Sequence, residues 1–262
     1  MTKIFDLNGN AKGEIKLPKV FSTPYRPDLI TRVVLALRSH RRQPYGPDPL
    51  AGQRTSAHYH GVRKGPHHMM NREMARNKRS HGGSSQQEMR ARASPHAVSG
   101  RKCHPPMIDK VWDQKINKKE NILAIKSALA AVCNSELVSK KYRMELEAPI
   151  IITDDIQKVN KTKDLEKIIE LLKILPIVER AKDTKIRPGK GKMRGRRYKN
   201  KKSVLFIVAN DSGIVKAAKN IAGADICNVK NINVELLAPG THAGRITIFD
   251  EASIKSLGEL YG

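Results

Sequence analysis

Apolar residues recur along two stretches of this chain with the spacing of one helix face. The first stretch begins after Pro27 and Asp28, which favour a helix start, and its apolar members are Leu29, Ile30, Val33, Val34 and Leu37. The second begins after Asn117, with Glu120 in the position of a capping box, and its apolar members are Ile122, Ile125, Leu129 and Val132. The pattern predicts two amphipathic helices.

Short apolar runs alternate with helical stretches in the second half of the chain. We predict strands at residues 149–153, 203–209, 224–228 and 245–249, helices at 165–175, 213–221 and 251–261, and a first short strand at Ile4, Phe5 and Leu7. The runs Ile150–Ile152 and Val204–Val208 are apolar at every position, as expected for strands covered by helices on both faces. The sequence therefore predicts a doubly wound, Rossmann-like α/β domain with a mostly parallel sheet.

Between the two predicted helices, the segment from Arg38 to Pro106 loses all apolar periodicity. It holds fourteen Lys or Arg residues, three acidic residues, seven Gly, seven Pro and only three of Leu, Ile and Val. A segment with so little apolar surface cannot offset the entropy of ordering its backbone, so we expect it to be extended or disordered when alone. The predicted organisation is a globular domain at 1–42 and 107–262 that carries a long basic loop at 43–106.

A second basic segment, Arg187 to Lys202, holds nine basic residues and no acidic one. The two segments contribute 20 of the 25 net positive charges. Such charge suits nucleic acid or an anionic membrane, and no stretch approaches the roughly 20 apolar residues that a spanning helix needs. Arg outnumbers Lys in the long segment, and Arg grips phosphate with a bidentate fork and stacks on bases. The composition favours RNA, although general nucleic-acid compaction shares the same charge pattern.

An enzyme is the alternative interpretation, because ligands often bind at the carboxyl ends of parallel strands. Asp154, Asp211 and Asp250 follow three predicted strands and could form a carboxylate cluster that acts on RNA or a nucleotide. Each also precedes a helical pattern, where Asp is an ordinary N-cap, and we favour that role. The glycines of the second basic segment match neither the dinucleotide turn nor the phosphate loop. We predict no catalytic residues and no small-molecule substrate.

Eight of the nine histidines lie in the long segment, where HxH and HH pairs could bind zinc. The segment offers one thiol, no carboxylate to orient the imidazoles and no scaffold, so we predict RNA contacts for these histidines and no metal site. Tyr45 and Trp112 flank the segment, and they either stack on bases or pack at its base.

Six blocks of sequence, in order, resemble the large-subunit ribosomal protein L-four family of the archaeal and eukaryotic type. They are FDLNG at 5–9, RRQPYGPDPLAGQRTSA at 41–57, SGRKCHPP at 99–106, KINKKENILAIKSALAA at 115–131, RPGKGKMRGRRYK at 187–199 and NVELLAPGTHAGRITIFDEASIKSL at 233–257. The chain ends soon after the last block, which resembles archaeal members. It departs from the family between Gly61 and Arg76, where members carry a tip rich in Gly and Arg.

The resemblance implies a structural constituent of the large ribosomal subunit, cytoplasmic and not enzymatic, that supports early assembly. Its implied partners are large-subunit rRNA, neighbouring ribosomal proteins including the tunnel protein L-twenty-two, and the nascent polypeptide, without a membrane. It implies no cofactor beyond Mg²⁺ held by the rRNA itself.

The side chains expected to contact RNA are Arg or Lys residues of the two basic segments: Arg38, Arg41, Arg42, Arg54, Arg63, Lys64, Arg72, Arg76, Lys78, Arg79, Arg90, Arg92, Arg101, Lys102, Arg187, Lys190, Lys192, Arg194, Arg196, Arg197 and Lys199. By the resemblance, the loop tip approaches the wall of the peptide exit tunnel, and its expected members are Arg63, Lys64, His67, His68, Met69 and Arg72.

Overall fold

The computed structural model describes residues 2–82 and 86–262. The chain forms two compact units, one of Met1–His40 with Gln114–Gly262 and one of Arg41–Asp113. We call the first the α/β unit and the second the basic unit. The predicted loop at 43–106 lies within the basic unit, except that its residues 83–85 are outside the described residues.

Helices and short strands alternate along the α/β unit. Its strands are β1 (Thr2–Phe5), β2 (Ala11–Ile15), β3 (Ile150–Ile152), β4 (Lys185–Ile186), β5 (Tyr198–Lys199), β6 (Leu205–Val208), β7 (Asp225–Asn228) and β8 (Thr247–Asp250). Its helices are α1 (Pro27–Ser39), α2 (Lys118–Cys133), α3 (Ser135–Tyr142), α4 (Thr162–Leu171), α5 (Leu175–Lys182), α6 (Ile214–Lys219), α7 (Val234–Leu237) and α8 (Glu251–Tyr261). Within 2–82 and 86–262, no single helix is long and apolar enough to cross a membrane, and only α2 and α3 taken together, with a bend of 74° between them, meet the criteria of length and composition.

Six strands form one sheet in the order β2-β1-β3-β8-β6-β7. The pair β1 and β2 is antiparallel, and every other neighbouring pair in this sheet is parallel. Strands β4 and β5 form a separate antiparallel pair. The predicted α/β class with a mostly parallel sheet is confirmed.

Two apolar cores lie on opposite faces of the sheet, because successive side chains of a strand point to opposite sides. In β6, Leu205 and Ile207 belong to one core, which α1, α2 and α8 cover. Phe206 and Val208 belong to the other, which α4, α5 and α6 cover. This two-sided burial explains why the strands are apolar at every position.

The structure corrects several predicted details. The predicted helix at 165–175 is two helices, because Lys173 adopts a left-handed conformation (φ 59°) between α4 and α5. Asn117 is the N-cap residue of α2, but its side chain makes no capping hydrogen bond, and Glu120 instead pairs with Arg32 at 3.0 Å. Ile122 is exposed, since the buried face of α2 is centred on small residues such as Ala128.

The basic unit has little regular structure but many backbone hydrogen bonds. Isolated antiparallel bridges join His58 to Arg79 and Arg79 to Ala91. Its buried apolar side chains, among the residues described, are Ala57 and Met69. Polar backbone bonding therefore holds this unit with very little apolar core, and its disorder in the free protein stays a prediction.

The two ends of the chain that border the basic unit are bonded to each other inside the α/β unit. The Gln114 N–H donates to Ser39 Oγ at 3.0 Å, and the Gln114 carbonyl lies 3.1 Å from His40 Nε2. Ser39 is buried as the last residue of α1. The chain thus leaves and re-enters the α/β unit at one fixed point.

Candidate nucleic-acid interface

Most side chains predicted to contact RNA are exposed to solvent. They are Arg38, Arg41, Arg42, Arg54, Arg63, Lys64, Arg72, Arg76, Lys78, Arg90, Arg101, Lys102, Lys190, Lys192, Arg194, Arg196, Arg197 and Lys199. Arg79, Arg92 and Arg187 are half-buried. Exposed cations at this density create the field that attracts a phosphate backbone, whereas a buried guanidinium cannot reach one.

Arg79 is committed to the basic unit's own backbone. Its Nη1 donates to the Met89 carbonyl at 2.8 Å and its Nη2 to the Ala75 carbonyl at 3.0 Å. Its main-chain N–H donates to the His58 carbonyl at 3.1 Å. Arg79 therefore ties three separate stretches of the unit together, and this is a different role from the RNA contact that its charge suggested.

The predicted tip residues differ in exposure. Arg63, Lys64 and Arg72 are exposed, His67 and His68 are half-buried, and Met69 retains only 1% exposure. The Met69 N–H donates to the His60 carbonyl at 3.2 Å, so this residue packs inside the unit. The three cations are the tip side chains free to meet a ligand.

The aromatic pair flanking the segment forms one stack. The rings of Tyr45 and Trp112 lie 5.9 Å apart at an interplanar angle of 12°. The Arg42 guanidinium lies 3.9 Å and the Lys110 ammonium 4.6 Å from the Trp112 ring centre, in cation–π geometry. The two predicted roles were stacking on bases and packing at the base of the segment. Packing fits Trp112, whereas Tyr45 keeps more than half of its surface exposed. The stack holds Arg42 at the edge of the unit.

The second basic segment is a hairpin between α5 and β6. Strands β4 and β5 pair through Lys185 with Lys199 and Ile186 with Tyr198. Arg187 closes the hairpin, because its Nε donates to the Arg196 carbonyl at 3.0 Å and its Nη2 to the Tyr198 carbonyl at 3.3 Å. The turn it closes carries the exposed cations Lys190, Lys192, Arg194, Arg196 and Arg197.

The strand-end carboxylates are occupied by structural hydrogen bonds. Asp250 is buried, caps α8 by accepting from the Ser253 N–H at 2.9 Å, and also accepts from the Ala209 N–H and from Gln157. Asp211 accepts from the N–H groups of Gly213 and Val215 at the start of α6, but the N-cap residue is Gly213, so the N-cap position predicted for Asp211 is wrong by two residues. Asp154 accepts from the Ala252 N–H of α8 rather than from its own helix. The carboxylates at this edge of the sheet therefore hold the starts of α6 and α8 in place.

Three histidines that the sequence separates come together in the basic unit. His58, His60 and His81 each offer a ring nitrogen, and these atoms lie within 4.8 Å of one another. The HxH spacing of His58 and His60 was visible in the sequence, but His81 joins them only through the bridge of Arg79 to His58. The segment does supply a carboxylate next to this cluster, since Glu88 lies 3.2 Å from His67 Nδ1, and backbone bridges join the stretches that carry His58 and His81. The expectation that no metal binds here stays a prediction.

Residues 15–260 match the model of a family described as "Ribosomal protein L4/L1 family". The chain is 47% identical to large ribosomal subunit protein uL4 of Archaeoglobus fulgidus, over 98% of each chain. It is 44% identical to the uL4 protein of Methanosphaera stadtmanae, over 98% of this chain and 96% of the relative. It is 43% identical to that of Methanothrix thermoacetophila, over 98% of each.

Proposed function

The chain belongs to the ribosomal protein L4/L1 family, and from that premise we propose that it binds large-subunit rRNA as a structural constituent of an archaeal ribosome. Its rRNA contacts come from two surfaces, the basic unit and the hairpin turn at 187–199. Membership in a family of ribosomal proteins confirms the prediction that the chain is not an enzyme. Its place of action is the cytoplasm, in the large subunit.

The observation that carries the proposal is the separation of charge from the apolar cores. The two basic segments account for 20 of the 25 net charges, and nearly all of their predicted contact residues are exposed. Each cation that neutralises a phosphate releases a condensed counterion, which drives binding without sequence specificity. Hydrogen bonds hold in place the backbone that carries these exposed cations. Such a surface suits an RNA of fixed shape.

The basic unit is the part we expect to enter the rRNA. With two buried apolar side chains among its described residues, it depends on backbone hydrogen bonds that compete with water. Phosphates around its arginines would exclude that water and lower the repulsion between the cations. Binding and ordering would then occur together, which suits a protein that joins the subunit early in assembly.

We propose further that the exposed tip cations Arg63, Lys64 and Arg72 lie at the wall of the peptide exit tunnel, near L-twenty-two. This rests on the family's known organisation and on the position of these residues in the basic unit. Met69 is buried in the basic unit, so we do not include it among the side chains proposed to contact the nascent chain.

Binding of the full-length protein to large-subunit rRNA at several salt concentrations tests the main proposal. Replacing Arg194, Arg196 and Arg197 with Gln should weaken binding and lower the slope of log affinity against log salt by about 2 to 3, because each phosphate contact contributes about 0.7 to 1. The side chains are exposed, so the fold should be unaffected.

The matched control replaces Lys158, Lys163 and Lys167 with Gln. These three residues are also exposed, and their replacement removes the same charge, but they lie on and just before α4, outside both basic segments of the sequence. An equal loss of slope in both triple variants would mean that net charge alone drives binding, and the proposed interface would be rejected.

Photo-crosslinking tests the tunnel assignment separately. A crosslinking amino acid at position 63 should capture an arrested nascent chain in assembled ribosomes, whereas one at position 190 should capture only rRNA. Nascent-chain adducts at position 190 and none at 63 would reverse the assignment.

A further inference from the structure

The imidazole rings of His58, His60 and His81 pack against one another in the basic unit. Ring centres lie 4.1 Å apart for His58 and His60, 4.5 Å for His58 and His81, and 4.3 Å for His60 and His81. His67 stands beside them, with its ring centre 4.8 Å from that of His81. These four residues come from three separate stretches of the unit.

Among residues 2–82 and 86–262, several nitrogens of this cluster are buried without a hydrogen-bond partner. They are Nε2 of His60 and both Nδ1 and Nε2 of His81. A neutral imidazole has one N–H donor and one lone pair, and burying either without a partner is unfavourable.

The outer contacts hold two rings in the tautomer that metal binding needs. His58 Nδ1 lies 3.2 Å from the Ser56 carbonyl, so this nitrogen carries the proton and Nε2 keeps the lone pair. His67 Nδ1 pairs with Glu88 at 3.2 Å in the same sense. Imidazoles that ligate a metal usually donate their other N–H to a carbonyl or carboxylate in this way.

We infer that His58, His60 and His81 form a binding site for a transition-metal dication, Zn²⁺ in particular. Three imidazole nitrogens suit Zn²⁺ at bond lengths of about 2.0–2.1 Å, which puts ligand atoms roughly 3.3 Å apart in a tetrahedron. The nitrogens lie within 4.8 Å, so modest ring movements would close the site. His67 is the nearest further imidazole for the fourth position.

The scaffold makes these movements small. His58 and His60 are two apart in an extended stretch, so both rings face the same side. The antiparallel bridge between His58 and Arg79 brings His81 to that side, and the Arg79 guanidinium fixes the neighbouring turns. A bound ion would pin residues 58, 60 and 81 together, and its binding energy would stabilise a unit that has almost no apolar core.

The positive charge of the basic unit repels a dication, so the salt concentration of the binding test matters. Exposed cations such as Arg63 and Lys64 lie in the same unit, but at about 0.15 M salt they are screened beyond roughly 8 Å. Direct ligation by three imidazole nitrogens is short-range and is not screened. The titration should therefore use physiological salt, at about pH 7.5, because metal binding competes with protons for the imidazole nitrogens.

Titration of the full-length, metal-free protein with Zn²⁺ and with Co²⁺ tests the inference. We expect one saturable equivalent, and visible bands of four-coordinate Co²⁺. His81→Ala should weaken Zn²⁺ binding at least tenfold. His60→Gln, which keeps a polar side chain, should also weaken it at least tenfold. Zn²⁺ should also slow amide exchange at Arg79 and Ser80 in the unaltered protein.

His104→Ala is the matched control, because His104 lies in the same unit and is exposed outside the cluster. It should bind Zn²⁺ as the unaltered protein does. Absence of a saturable equivalent in the unaltered chain would overturn the inference. So would equal affinities in the His60 and His81 variants and the control.

Discussion

Single arginines in this protein have three different roles that the sequence alone does not distinguish. Arg194 is exposed, Arg187 and Arg79 donate to main-chain carbonyls, and Arg245 is buried at 1% exposure. The difference depends on which carbonyls the fold brings within about 3 Å, and composition carries no information on that. Residue type therefore predicted the basic surfaces, but not which of their members hold the structure.

Arg245 should be the most sensitive cation of the α/β unit. Its guanidinium donates to the carbonyls of Ser203, Val204, Leu236 and Gly223 and pairs with Asp225 at 2.8 Å. Arg245→Met would remove this ion pair and these donated hydrogen bonds, and would leave Asp225 with Lys202 as its cation, 2.8 Å away. We expect a loss of about 3–5 kcal/mol in unfolding free energy, because a hydrogen-bonded buried charge network is broken. Denaturant unfolding should measure it. Lys163→Met, at an exposed position of α4, is the control, and a loss below 1 kcal/mol for Arg245→Met would contradict the role.

Lys141 should make stability rise with pH. Burial, with the nearby Arg245 charge, lowers the pKa of Lys141 to about 8, from about 10.5 in the unfolded chain. Between these values the unfolded state binds more protons, so the folded state gains stability as pH rises. Relative to Lys141→Met, the protein should gain about 1–2 kcal/mol between about pH 7.5 and 9.5. A constant difference across that range would show that the pKa of Lys141 is not lowered.

Elements were predictable where apolar burial shapes the sequence, and less so elsewhere. The strands at 150–152 and 205–208 and the helices α1 and α8 carry strong patterns because they line the two cores. Helix α3 was missed, since only Val138 is buried in it and its start depends on the Asn134 side chain. Strands β4 and β5 were missed because they are exposed and short, and Arg187 rather than burial holds them together.

Substitutions in the hairpin distinguish an Arg that holds the hairpin closed from an Arg that contacts phosphate. Arg187→Lys keeps the charge but loses the bonds to the Arg196 and Tyr198 carbonyls. We expect faster amide exchange across 185–199 and severalfold weaker rRNA binding, whereas Arg194→Lys should change neither. If both variants behaved like the unaltered protein, Arg187 would be one more exposed charge.

At the scale of the whole molecule, apolar burial and positive charge occupy different parts of the chain. Two cores cover both faces of the sheet in the α/β unit, while the basic unit buries Ala57 and Met69 among its described apolar residues. The sequence predicted this division, because one part has periodicity and the other has none. It could not predict the histidine cluster, whose members meet only through backbone bridges.

Removal of residues 58–89 tests this division. With a short Gly-Ser link in their place, we expect the α/β unit to keep its unfolding free energy within about 1 kcal/mol, because no core residue is lost except Met69 of the basic unit. The variant should still enter large subunits through the hairpin turn. Co-sedimentation and denaturant unfolding measure the two outcomes, and loss of folding would contradict the division.

The bonds of Gln114 to Ser39 and His40 bear on how this family could diversify. These bonds fix the points where an inserted segment leaves and rejoins the α/β unit, so the fold of that unit does not depend on the length or composition of the segment. Inserts from other members could then be exchanged as cassettes between positions 41 and 113, with Ser39 and Gln114 as the attachment site. Changes of length and sequence would then be tolerated best between the family-like blocks at 41–57 and 99–106, where this chain itself departs from the family, while the α/β unit stays unchanged.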